Sequence, residues 1–261
     1  MKVSYYPGLE ENDERYEKLE EFSSLENGFA LSCDEMEIGW NIVNKNSFTR
    51  HILRSKYFLI LLPFLYAITS KQFFEFTFTF SCIFNNFILI NIFALIFDKI
   101  QKDIIKKAFF ACVEMQEEKL KSYQPDLIIG SSWGGAVALA LVLKGSYKKD
   151  LILISPILSV IENLSSGIMR ELLINRTVAV SASNNDSTRN IKCHMFISDE
   201  DDIVDDSEMI RLFTDIKRYV NPKNNNWTYT LEDFGGHRMP DLLDSPKFKN
   251  ILDGFLCSKN K

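Results

Sequence analysis

The sequence has few residues that bind metal ions or form disulfides. Its 261 residues include three histidines and five cysteines, and no Cys-x-x-Cys pair occurs. The cysteines are scattered and have no histidine at metal-ligand spacing, so we expect reduced thiols and no metal site. The first residues, MKVSYYPGLEEND, lack the apolar run of a secretory signal peptide. These absences predict a cytoplasmic protein.

The chain also lacks an excess of basic charge. Lys and Arg number 30 and Asp and Glu number 35, which gives a net charge of −5 at pH 7. Without a positive field, binding to nucleic-acid phosphates is not expected. The hydrophobic share of 46% and the charged share of 25% are those of a folded globular protein. Its length is sufficient for a core that needs no disulfides.

Predicted strands and helices alternate along most of the chain. Short apolar runs between turn residues predict strands, and segments with one apolar face predict helices. The predicted strands are 2–6, 29–32, 126–129, 151–154, 194–197 and 227–231, and the predicted helices are 12–22, 135–144, 206–219 and 242–256. This alternation is typical of an α/β protein with a mostly parallel sheet and helices on both faces.

The segment 57–97 does not follow this alternation. It holds more than half of the 21 phenylalanines and only two charged residues, Lys71 and Glu75. Its first part is too short for a helix across a hydrocarbon core of about 30 Å. Its second part contains asparagines and a period-two stretch at 74–80 that favours a strand. Basic residues flank both ends, as they do at cytoplasmic membrane faces.

The domain organisation follows from this segment. We expect residues 1–50 and 98–261 to form the α/β domain, with 51–97 as an apolar insertion. Two interpretations of the insertion stay open: a helical hairpin that enters a membrane from the cytoplasmic side, or a lid packed over an apolar pocket.

A Gly-x-Ser-x-Gly sequence runs from Gly130 to Gly134, directly after an apolar strand and directly before a helix. Glycine at both outer positions allows a sharp turn that exposes the central Ser132. The Ser132 hydroxyl then lies near a helix N-terminus, where free N–H groups stabilise developing negative charge. The pattern predicts a nucleophile at Ser132, and a tight turn without chemistry is the alternative.

A serine nucleophile needs an imidazole to take its proton and a carboxylate to orient that imidazole. His51 lies among basic residues, and His194 lies in an apolar strand, where a structural role is expected. His237 follows the last strand and the pair Gly235-Gly236, at the same sheet edge as Ser132. We therefore expect His237 to be the general base.

The orienting acid is expected in the loop after the strand 194–197. Several carboxylates crowd this loop, and most must be solvated because packed carboxylates repel each other. One member can turn inward to His237. Asp201 is the first candidate, and Asp199 and Asp202 are the alternatives.

These residues together resemble the α/β-hydrolase superfamily. The chain order Ser132, Asp201, His237 carries the similarity, together with the elbow sequence GSSWGG, the Asp-x-x-Val form of 201–204 and the Gly-Gly-His sequence. The similarity covers 2–32 and the chain from about 125 onward. It implies a minimal version of that fold.

The resemblance also implies an oxyanion hole. In that family an early strand ends in a His-Gly-x turn, and the last residue of the turn donates a backbone N–H to the hole. Here Tyr6-Pro7-Gly8-Leu9 occupies this place, so the N–H groups of Leu9 and Trp133 would form the hole. Pro7 stands where histidine is usual.

The activity that the resemblance implies is cleavage of a carboxylic ester or thioester through an acyl-enzyme, without a cofactor. The apolar segment indicates an acyl chain or lipid as the substrate. Two other classes stay open. One is a non-catalytic binding protein of the same fold, which the Pro7 departure favours. The other is a membrane-anchored scaffold whose working part is 57–97.

Overall fold

Six parallel strands form one sheet at the centre of the computed structural model, which describes residues 1–8, 14–25, 29–33, 80–164, 167–182, 191–220 and 226–257. The strands are β1 (Lys2–Tyr6), β2 (Ala30–Cys33), β3 (Leu127–Ser131), β4 (Asp150–Ile154), β5 (Cys193–Ser198) and β6 (Trp227–Glu232). Their order is β2-β1-β3-β4-β5-β6. All neighbouring pairs are parallel. The carboxyl ends of the strands therefore meet at one edge.

Helices cover both faces of the sheet. They are α1 (Glu14–Leu25), α2 (Phe80–Tyr123), α3 (Ser132–Lys144), α4 (Leu158–Leu164), α5 (Ile168–Ala182), α6 (Asp206–Val220) and α7 (Pro246–Cys257). Helices α1 and α7 contribute to the core on one face, and α2 to α6 contribute to the core on the other face. The predicted α/β class, with a parallel sheet between two helical layers, is confirmed.

The central strands are buried along their whole length because helices cover both faces of the sheet. Every residue of β3, β4 and β5 is buried. Successive side chains of a strand point to opposite faces, so Ile128 packs in one core while Leu127 and Ile129 pack in the other. This two-sided burial accounts for continuous apolar runs instead of alternating ones.

Helix α6 is amphipathic and holds the loop before it in place. Its buried stripe consists of Met209, Leu212, Phe213, Ile216 and Val220. At its N-terminus the Asp205 carboxylate accepts a hydrogen bond of 2.8 Å from the Glu208 N–H, as an N-cap residue does. At the other end of the loop, the Asp199 N–H donates a 3.2 Å hydrogen bond to the Glu232 carbonyl, so the loop between β5 and α6 is held at both ends.

Helix α2 is 44 residues long, or about 66 Å at about 1.5 Å per residue. Its last residue lies at the amino edge of the sheet, where the Lys2 ammonium donates a 3.3 Å hydrogen bond to the Tyr123 carbonyl. At the carboxyl edge the Phe109 ring packs edge-on against Trp133, with 5.6 Å between centroids. The helical residues 80–108 precede the part of α2 that packs along the sheet.

The predicted insertion overlaps this helix. Its predicted boundary between 97 and 98 lies inside α2, where the backbone is continuously helical. Residues 51–79 lie outside the described residues, so the hairpin and the lid both stay predictions. In the ranges that the structure describes, no helix is long and apolar enough to cross a membrane.

Candidate active site

The turn between β3 and α3 has the sharp geometry that its sequence predicts. Ser131 is extended, and Ser132 adopts a φ of 50°, in the left-handed region that non-glycine residues rarely occupy. A Cβ on Gly130 would lie 2.7 Å from the Gly135 Cα, and a Cβ on Gly134 would lie 2.2 Å from the Tyr6 carbonyl oxygen. Glycine is therefore required at both positions.

His237 lies between Ser132 and Asp201. Its Nε2 is 3.0 Å from the Ser132 Oγ, and its Nδ1 is 2.8 Å from Oδ2 and 3.0 Å from Oδ1 of Asp201. Because an ionised carboxylate only accepts hydrogen bonds, Nδ1 carries the proton and Nε2 accepts from the Ser132 hydroxyl. The structure thus brings together the three side chains that the sequence singled out.

Positive φ angles shape the loop that carries His237. Gly235 and Gly236 have φ values of 81° and 79°, which glycine adopts without steric cost. The loop places the imidazole at the carboxyl edge of the sheet, where the side chain is 10% exposed. The ring is therefore largely shielded from water and fixed from both sides.

Asp201 is the acid that faces His237. Its side chain is 1% exposed, whereas Asp199 and Asp202 are exposed on the same loop. The N–H groups of Ile203 and Val204 each donate a 2.9 Å hydrogen bond to Oδ1. Among the three acids considered, the geometry selects Asp201.

The hydrogen bonds of Asp201 keep it ionised. Burial raises the pKa of the Asp201 carboxyl, but hydrogen bonds from His237, Ser155 and the Ile203 N–H lower it more. The pKa therefore lies below its ordinary value. A carboxylate that stays charged can hold the Nδ1 proton and stabilise a positive imidazolium.

Of the two residues predicted to form an oxyanion hole, Trp133 is among the described residues. Trp133 is in the first turn of α3, where backbone N–H groups have no partner within the helix. On the other side, a Cβ on Gly8 would lie 3.3 Å from the Ser132 Cβ, so the turn after β1 abuts the serine. Leu9 lies outside the described residues, and its role stays a prediction.

His194 lies in β5 and has no part in this arrangement. His51 lies outside the described residues. His194 is buried, with Nδ1 2.8 Å from the Thr228 hydroxyl and Nε2 3.1 Å from the Thr230 hydroxyl. Burial, with a smaller contribution from the Lys247 charge, lowers the pKa of His194 from 6.5 to about 4.

We expect His194 to make stability depend on pH. Between pH 6.5 and about 4, the unfolded state binds the proton and the native state does not, so stability falls as the pH is lowered through this window. The full loss is about 3 kcal/mol. Urea unfolding at several pH values measures it. A His194→Gln variant should lose this part of the slope, and an unchanged slope would contradict the assignment.

Ser155 joins the site although the sequence analysis did not single it out. Its hydroxyl donates a short hydrogen bond to Oδ2 of Asp201. The available signal was its position directly after β4, at the carboxyl edge shared by Ser132 and Asp201. Among the described residues, no group of three or more His, Cys, Asp or Glu side chains is arranged to hold a metal ion.

The arrangement of sheet, elbow and hydrogen-bonded side chains agrees with the sequence resemblance. No protein-family model and no curated protein sequence matches the chain.

Solved structures that resemble part of this chain include two esterases. A Bacillus cereus carboxylesterase is 13% identical with a TM-score of 0.35, and the match covers 57% of this chain and 61% of that one. A Pyrococcus furiosus esterase, known in two crystal forms, is 18% and 16% identical with TM-scores of 0.36, and each match covers 57% of this chain. In the two crystal forms the match covers 60% and 61% of the Pyrococcus furiosus chain, which is less than two thirds of its length.

Proposed function

We propose that the protein is a serine hydrolase that cleaves a carboxylic ester or thioester. The observation that carries this proposal is the continuous hydrogen bonding from the Ser132 Oγ through His237 to Asp201. A nucleophile, a base and an orienting acid in this geometry are the groups that acyl transfer needs.

The first half of the proposed reaction forms an acyl-enzyme. The Ser132 Oγ attacks the acyl carbon while Nε2 of His237 takes the hydroxyl proton. The imidazolium, held by Asp201, then gives that proton to the leaving alcohol or thiol as the bond to it breaks. The carbonyl oxygen bears negative charge between these two events, and N–H groups beside Ser132 would stabilise it.

The second half releases the acid and restores the enzyme. A water molecule attacks the acyl carbon while Nε2 of His237 takes a proton from it. His237 then returns a proton to the Ser132 Oγ as the ester bond breaks. Proton transfers and bond changes balance over the cycle without any further reactant.

A fluorophosphonate probe tests the nucleophile. We expect the folded wild type to be labelled, Ser132→Ala to be unlabelled and His237→Ala to be labelled far more slowly. Ser131→Ala is a matched control, since Ser131 is buried in the same turn and its hydroxyl has no partner among the described residues. Failure of folded wild type to label would leave the non-catalytic binding protein as the better hypothesis.

We also propose that the substrate carries an acyl chain or is a lipid. It is supported by the apolar sequence of 57–97 and by Leu95 and Ile100 of α2, which are 70% and 51% exposed. If the acyl chain is buried on binding, kcat/KM should rise by about fourfold for each added methylene. Hydrolysis of p-nitrophenyl esters of increasing acyl length measures this rise, and a flat series would contradict it.

Membrane association through 57–97 is a separate proposal. It is supported by the sequence of this segment and by Lys99 and Lys102, which follow it. Lysines beside an apolar helix favour anionic lipid headgroups. Co-sedimentation with phosphatidylserine vesicles tests the proposal, and recovery of all the protein in the supernatant would contradict both this proposal and the scaffold hypothesis.

A further inference from the structure

The hydroxyl of Ser155 is buried and donates its hydrogen bond to Asp201. Ser155 is 2% exposed, and its Oγ donates to Oδ2 of Asp201. Its backbone N–H donates a 3.0 Å hydrogen bond to the Phe196 carbonyl on β5. The strand that precedes the acid loop thus holds Ser155 in place beside Asp201.

The backbone at Ser155 is in a conformation that serine rarely adopts. Its φ is 40°, in the left-handed region where L-residues other than glycine pay a steric cost. Glycine would fit this backbone better, so the conformation itself does not require a side chain. The hydroxyl is the feature that glycine lacks.

The turn that carries Ser155 also contacts the nucleophile elbow. The Ile157 N–H donates a 3.2 Å hydrogen bond to the Ser132 carbonyl. Pro156 lies against the elbow, because a Cβ on Gly135 would be 2.9 Å from the Pro156 Cβ. The turn 155–157 therefore contacts both the acid and the turn that carries the nucleophile.

The two oxygens of Asp201 both face His237 and differ in their other partners. Oδ1 lies 3.0 Å from Nδ1 of His237 and accepts from the Ile203 and Val204 N–H groups of its own loop. Oδ2 accepts from His237 and from Ser155, which comes from another strand. Without the Ser155 hydroxyl, the His237 imidazole would be the one partner left to Oδ2 among the described residues.

We propose that Ser155 is a positioning residue of the active site. Its hydroxyl holds the Asp201 carboxylate in the orientation that receives the Nδ1 proton of His237, and its turn keeps this acid in register with Ser132. The inference rests on the proposed hydrolase function and adds a fourth side chain to it.

Two substitutions separate the hydroxyl from the backbone. Ser155→Ala removes the hydroxyl and keeps the Cβ, whereas Ser155→Gly removes the hydroxyl and suits the positive φ. We expect kcat for p-nitrophenyl ester hydrolysis to fall about 10- to 100-fold in both variants, with KM unchanged, because the acid is misplaced and substrate contacts are not. Ser155→Gly keeps the test decisive if Ser155→Ala folds poorly.

A double-mutant cycle gives a readout that a purely structural role would not move. In an Asp201→Ala background, neither Ser155 variant should lower kcat further, since the group it positions is absent. Unchanged kcat in both single variants, or an equal additional loss without Asp201, would overturn the positioning role while labelled wild type still supports the hydrolase. An unlabelled wild type would overturn the hydrolase and the positioning role together.

Discussion

We expect Asp201→Ala to lower kcat for ester hydrolysis by about 10⁴-fold. The substitution removes the acceptor that lies 2.8 Å from Nδ1 of His237. The imidazole then loses the partner that fixes its orientation and places its free Nε2 lone pair toward Ser132. The positive charge that His237 acquires during attack would also lack a counter-charge in a largely buried site. Steady-state kinetics of purified variants measure the loss.

The neighbouring acids provide matched controls for this prediction. Asp199 and Asp202 belong to the same loop and carry the same charge, but both side chains are exposed. Asp199→Ala and Asp202→Ala should leave kcat unchanged. A loss in either control as large as in Asp201→Ala would show that the wrong acid is assigned. Circular dichroism and urea unfolding would verify that each variant is folded.

Gly134→Ala should destabilise the protein by about 3 kcal/mol and abolish fluorophosphonate labelling. The new Cβ would lie 2.2 Å from the Tyr6 carbonyl oxygen and 2.4 Å from the Pro7 carbonyl oxygen. Both atoms are backbone at the end of β1, so they cannot move aside as a flexible side chain would. Relief requires α3 to shift away from β1, which displaces Ser132.

Gly254→Ala is the control for the glycine substitution. Gly254 lies in α7, and a Cβ there would meet no atom within 4 Å. Alanine should therefore stabilise the protein by about 0.5 to 1 kcal/mol through its higher helix propensity. Urea unfolding of the two variants measures both effects. Equal stability of Gly134→Ala and wild type would show that the elbow is less tightly packed than described.

The strands and the amphipathic helix α6 could be predicted from local sequence patterns. Each of the six strands begins and ends within two residues of its predicted limits, because short apolar runs between turn residues have few other ways to be buried. Spacing on one face predicted α6 in the same way. Ser132 was singled out by its Gly-x-Ser-x-Gly sequence, and His237 and Asp201 by their positions in loops that follow predicted parallel strands, whose carboxyl ends meet at one edge.

The remaining features depend on contacts that a single sequence does not display. Ser155 follows an ordinary apolar strand, and nothing in its neighbourhood indicates which distant carboxylate its hydroxyl meets. Helix α5 was not predicted, although Ile168, Met169, Leu172 and Leu173 have helical spacing and are buried. Choosing between Asp201 and its neighbours also required knowing which side chain faces inward, which charge and spacing alone do not decide.

The position of β1 between β2 and β3 has a consequence for how the protein folds. Val3 of β1 pairs with Leu127 of β3. One edge of β1 therefore stays unpaired during synthesis until β3 has been translated. Ser132 and His237 are separated by 105 positions, which a ribosome takes about 5 to 20 s to translate. The nucleophile therefore leaves the ribosome well before its base, and catalytic competence can arise only late in synthesis, when long-range pairing is complete.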